Sequence, residues 1–137
     1  MKKMFLLYFV CVLTLFAQDI EIQNASIKKT PPNAKNTAIF LTIHNKSNKD
    51  IALVNVQTDL AQATELHTHI HKNNTMVMTP VPEIVIKANS SRELKSGGDH
   101  IMLFNIHQRI DKNTKNTVTL FFDTNESIKL ENIPVKE

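Results

Sequence analysis

The chain has 137 residues, with 16 basic and 13 acidic side chains, six histidines, five methionines and a single cysteine. A near-balanced charge, 6% aromatic residues and no basic cluster argue against nucleic acid as a partner. One cysteine excludes an internal disulfide and a multi-thiolate metal site.

Residues 1–17 read as a secretory signal. "MKK" is a basic start, and "MFLLYFVCVLTLFA" (4–17) is an uncharged apolar run, too short for a comfortable membrane span. Cleavage is expected after Ala17, with an uncleaved anchor as the alternative; Cys11 sits inside the apolar run and makes no convincing lipoprotein signal. The mature domain is then 18–137, without a thiol and without stable membrane association. Its fourteen basic and thirteen acidic residues leave a charge of +1. It must be held together by an apolar core, which roughly 120 residues can supply.

From there the chain reads as β structure. "DIEIQNASI" (19–27) alternates at its start, and "KKTPPNAKN" breaks regular structure with paired prolines. "TAIFLTIHN" (37–45) and "IALVNVQT" (51–58) are strands rich in β-branched residues. "TDLAQA" suits a short helical turn or a bend. "TELHTHIH" (64–71) alternates Leu66, Thr68 and Ile70 against His67, His69 and His71, so the two sets face opposite ways. "KNN" turns the chain, and "TMVMTPV" (75–81) returns as the second arm of a hairpin. "EIVIKA", "SRELKSG", "HIMLFNIH" (100–107), "NTVTLFFDT" and "ESIKLENI" are further strands. Many short strands without a helical period point to an antiparallel sandwich or barrel. The only glycines, Gly97 and Gly98, make a tight turn that sets where His100 begins its strand.

All three methionines beyond residue 17 (Met76, Met78 and Met102) and five of the six histidines lie between His67 and His107. His67 and Met78 stand on the two arms of one hairpin, while His100 and Met102 share a face of a third strand. If these strands are neighbours, two imidazoles and two thioethers converge. Thioether is a soft, neutral donor, so the set favours Cu(I) over Zn²⁺ and offers little to Mg²⁺ or Ca²⁺. His67, His69 and His71 share a face and form an alternative set for Cu(II) or Zn²⁺. His69 and His71 are open between an auxiliary copper role and a solvent-facing strand; Met76 is expected to pack beside the site. Asp99 either orients His100 or is an ordinary turn residue. No nucleophile motif, phosphate loop or Cys–His pair marks an enzyme, and Glu65 reads as a solvated strand residue.

The spacing resembles that of the periplasmic copper chaperones of the PCu(A)C family, H-x₁₀-M-x₂₁-H-x-M, met here by His67, Met78, His100 and Met102. "ELH", "MTPV", "GGDHIML" and "TPPNAKNTAIFLTIHN" carry the likeness across roughly Ile20 to Val135. The resemblance implies a cupredoxin-like Greek-key β-sandwich. It also implies an exposed Cu(I) site made by those four residues, and a role in carrying copper outside the cytoplasm toward cytochrome c oxidase assembly. The implied partner is a copper-accepting oxidase subunit or another copper chaperone, and a monomer is expected. A buffer or resistance protein for copper or zinc is the alternative. The chain departs from the family's habits at Ser26, His69, His71 and Asp99, where tryptophan, methionine, methionine and tyrosine are frequent.

Overall fold

The computed structural model describes residues 19–137; the expected signal segment and its cleavage point lie outside them. Every regular element within these residues is a β-strand. They are β1 (Ile20–Lys28), β2 (Asn36–Asn45), β3 (Ile51–Thr58), β4 (Ala61–Lys72), β5 (Thr75–Val81), β6 (Ile84–Ile86), β7 (Ser90–Leu94), β8 (His100–Ile106), β9 (Thr117–Phe122), β10 (Ser127–Glu131) and β11 (Val135–Lys136). Of the two options open at "TDLAQA", the chain takes the bend, at Asp59 and Leu60, and then enters β4. The bend carries the chain from one sheet to the other, and Leu60 is buried in the crossing.

The larger sheet has seven strands in the order β11-β1-β2-β8-β4-β5, with β7 also pairing β2. The smaller is β10-β9-β3-β6. All pairs are antiparallel except β11 with β1. This is the all-β, cupredoxin-like sandwich that the sequence implies. The core lies between the sheets. Ile39, Leu41 and Ile43 of β2, with Ile101 and Leu103 of β8, face Leu53 and Val56 of β3 and Val118, Leu120 and Phe122 of β9. Burying each such side chain contributes about 1.5–3 kcal/mol, so alternation of apolar residues fixes which face each strand turns inward. The intervening residues of β2, β4 and β8 therefore stand on the outer face of the large sheet, and the histidines and methionines are among them.

The β4–β5 hairpin has a two-residue loop, Asn73–Asn74, with φ of 52° and 63° at the two positions. Positive φ at both marks a type I′ turn, whose twist matches the strands it joins. Such a turn closes on a hydrogen-bonded pair, here Lys72 and Thr75, so hydrogen-bonded and non-hydrogen-bonded pairs alternate from there. His71/Met76, His69/Met78 and His67/Pro80 all fall on non-hydrogen-bonded positions. Pro80 fits this parity, since its missing N–H is not needed between the arms. β5 ends the sheet on this side.

Candidate metal centre

Three strands meet at the site. His67 of β4 is directly opposite His100 of β8, and Met102 is opposite Glu65 on the same pair of strands. Met78 of β5 is opposite His69 and hence diagonal to His67. All four motif residues thus lie on one face of three adjacent strands. His69, Met78, His100 and Met102 line a groove of about 400 Å³, together with Phe40 of β2 and part of the β1–β2 loop around Pro31. His67 stands beside this wall, its ring centroid 5.5 Å from that of His100 and 5.8 Å from Phe104. His69 is 5.4 Å from His100 by the same measure. His67 and His100 are 7% and 4% exposed, whereas Met78 is 48% exposed, so buried nitrogen and open sulfur share the site.

The hydrogen bonds sort the imidazole nitrogens. The turn Lys95–Gly98 is closed by the Gly98 amide donating to the Lys95 carbonyl at 3.0 Å, with Gly97 at φ 81° in the position where a type II turn requires glycine. That turn presents the Gly98 carbonyl to two rings: Nδ1 of His69 and Nδ1 of His100 each lie 2.9 Å from it. A carbonyl only accepts, so both Nδ1 atoms carry the proton and both Nε2 atoms keep a lone pair. His67 is arranged the other way. Its Nε2 lies 2.7 Å from the Glu65 carboxylate and donates to it, leaving Nδ1 as the acceptor. That Nδ1 is buried with no hydrogen-bond partner, the one such side-chain atom among the described residues. A buried polar atom without a partner costs about 1–3 kcal/mol, and a bound ion would relieve it. Three imidazoles therefore each hold a nitrogen lone pair in reserve beside two thioethers.

Burial pushes the His100 pKa below its ordinary 6.5. The bond to Gly98 opposes the shift, and positive charge on His67 or His69 would add to it. The ring is thus biased to the neutral form that a metal needs.

The Asp99 carboxylate makes no hydrogen bond to the His100 ring. Its carboxylate accepts from Thr68 Oγ1 at 2.7 Å and pairs with Nε and Nη2 of Arg92, each at 2.7 Å, tying the glycine turn to β4 and β7. Glu65, read from sequence as merely solvated, is the partner of His67. Met76 does not pack as expected: it is 51% exposed, opposite the exposed His71 at the hairpin tip. His44 bonds to Gln23 and Ser91 away from the groove, and His107 is exposed. Among the described residues no three of His, Cys, Asp and Glu are grouped to hold an ion by themselves. His67, His69 and His71 follow one extended strand at about 7 Å intervals, so a convergent set needs the thioethers of neighbouring strands.

Residues 20–135 match the family model described as "Putative lipoprotein LpqE-like". The chain belongs to the LpqE-like family. This LpqE-like chain is 32% identical over 102 residues to "Uncharacterized protein RP573" of Rickettsia prowazekii, across 73% of its own length and 55% of that protein's. The chain thus spans about half of that relative. It is 26% identical over 122 residues to "Putative lipoprotein Lxx21020" of Leifsonia xyli, covering 88% of this chain and 72% of the other. Among solved structures it is similar to the Cu(I) form of DR1885 from Deinococcus radiodurans, at TM-score 0.70 and 29% identity, over 88% of this chain and 81% of that one. The copper-bound PCuAC domain from PmoF2 superposes at TM-score 0.72 with 13% identity, over 87% and 94% of the two chains, a likeness of fold. The LpqE-like fold is therefore that of PCuAC domains, as the family resemblance implies.

Proposed function

We propose that this protein is a periplasmic carrier of Cu(I), not an enzyme, that binds one ion through His67, Met78, His100 and Met102 and passes it toward cytochrome c oxidase assembly. The observation that carries the reading is the sorting of the imidazoles: acceptor-only partners hold the protons of His67 and His100, so the lone pairs of His67 Nδ1 and His100 Nε2 are free beside two sulfurs. Neutral nitrogen and thioether donors suit a soft monovalent ion and leave it its charge, which favours release to a thiolate-bearing acceptor. The Cu(I)-loaded form of the similar DR1885 supports the choice of ion. The receiving protein is an oxidase subunit or a second chaperone, and the carrier acts as a monomer.

The test is a competition titration with a Cu(I) chelator under anaerobic conditions. Wild type binds one tightly held Cu(I); Met78→Ala and His100→Ala each weaken it by about tenfold or more. If both variants keep wild-type affinity, the assignment is wrong. His69 supports a second reading. With its Nε2 free beside His100, it adds a third nitrogen and so a place for Cu(II), as a copper or zinc buffer would need. A deletion strain separates the two: loss of a delivery protein lowers oxidase activity under copper limitation, and loss of a buffer sensitises cells to excess metal.

A further inference from the structure

The hairpin that carries Met78 continues beyond the groove, and its outer rung has the same chemistry as the inner one. His71 is directly opposite Met76, two residues farther out than His69 opposite Met78. Both rungs occupy non-hydrogen-bonded positions, where the two Cα atoms are about 4.5 Å apart and side chains are nearest. Alternation puts all four side chains on one face. The type I′ turn at Asn73–Asn74 fixes the register, so the juxtaposition does not depend on side-chain packing. Nor does packing explain Met76, which is 51% exposed on an edge strand. Ile70 and Val77, also exposed, lie on the opposite face of the hairpin.

We propose that His71 and Met76 form a second, weaker site for a soft monovalent metal ion at the tip of the β4–β5 hairpin. One imidazole and one thioether suffice for a soft monovalent ion such as Cu(I) or Ag(I), which accepts as few as two donors, whereas divalent Zn²⁺ takes about four and Ca²⁺ requires oxygens. The tip site is weaker than the groove because it has two donors and lies open to water. It stands about 7 Å along the strands from the His69–Met78 rung, two residues at the rise of an extended chain. The choice of ion rests on the Cu(I) reading of the groove; the site itself rests on the register.

Met76, Met78 and Met102 are the only methionines beyond residue 17, so methyl-labelled protein, purified after export of the full chain, gives one resonance for each. The probe is Ag(I), a redox-inert stand-in for Cu(I). The first equivalent shifts the methyls of Met78 and Met102, and further Ag(I) shifts that of Met76. Met76→Leu abolishes the second step and His71→Gln weakens it by about tenfold or more, while the first step changes less than about threefold in either variant. The proposal is overturned if the Met76 methyl does not move in excess Ag(I) while Met78 and Met102 respond, or if His71→Gln leaves the second step unchanged. If Met78 and Met102 fail to respond, the groove assignment falls, and the Met76 methyl still decides the tip site independently.

Discussion

Replacing Asp99 by alanine tests whether the glycine turn is what aims the imidazoles. The carboxylate is 13% exposed, accepts from Thr68, and is held by two guanidinium nitrogens of Arg92. Losing a hydrogen bond to a charged group costs about 1.5–3 kcal/mol, and breaking a fully buried ion pair costs more. Arg92 is 41% exposed and regains water when its partner is removed, so the low end applies. The expected loss is about 2–3 kcal/mol, which for a domain of this size lowers Tm by about 10 °C. The metal effect comes through position. Without Asp99 the Gly98 carbonyl is no longer tied to β4 and β7, and the Nδ1 donors of His69 and His100 lose a fixed acceptor. Cu(I) affinity then falls by about ten- to a hundredfold, the usual scale for loss of an outer partner. Thermal unfolding followed by circular dichroism gives the first number and chelator competition below the variant's Tm gives the second. A variant that melts within about 1 °C of wild type and binds equally well would refute the account of the turn.

Glu65→Ala removes the acceptor that holds the proton on His67 Nε2. The ring then samples both tautomers, and Cu(I) affinity should drop about tenfold by the same competition assay, with little change in Tm because Glu65 is 49% exposed. The pH dependence has a defined sign. The folded-state pKa of His100 is lowered below 6.5, so as pH falls through 6.5 the unfolded chain takes up a proton that the native ring resists. The metal-free protein should therefore lose stability over the window running downward from 6.5, and His100→Ala should flatten that part of a Tm-against-pH curve. Copper binding weakens across the same range, since protons compete at the imidazoles while thioethers do not titrate.

The strands were legible because alternation of Ile, Leu and Val encodes burial; their number and the turns between them pointed to a sandwich or a barrel, and the family resemblance implied the sandwich. The four motif positions stood out through the resemblance in spacing, and strand pairing puts them on one face of neighbouring strands. What orients them was not. The Gly98 carbonyl aligns two rings, yet a carbonyl belongs to every residue and leaves no mark in composition; only the glycine pair pointed to that turn. Glu65 lies two residues before His67 on the same face, a relation that holds for any alternate pair on any strand. Asp99 was placed near the site, but its partners Thr68 and Arg92 come from strands 31 and seven residues away. The exposure of Met76 depends on how far the hairpin projects past the sheet, and that is set by tertiary packing rather than by the period of β5.

Pro80 has a consequence for whatever touches this molecule. On β5 the amides that point away from β4 belong to Met76 and Met78, and the next in that row would be Pro80, which has none. An extended segment from another chain therefore finds outward backbone donors on this part of the margin only at the two sulfur-bearing residues. The missing donor weakens any strand added alongside β5 at its inner half, a common way in which exposed sheet edges are kept from pairing with other chains.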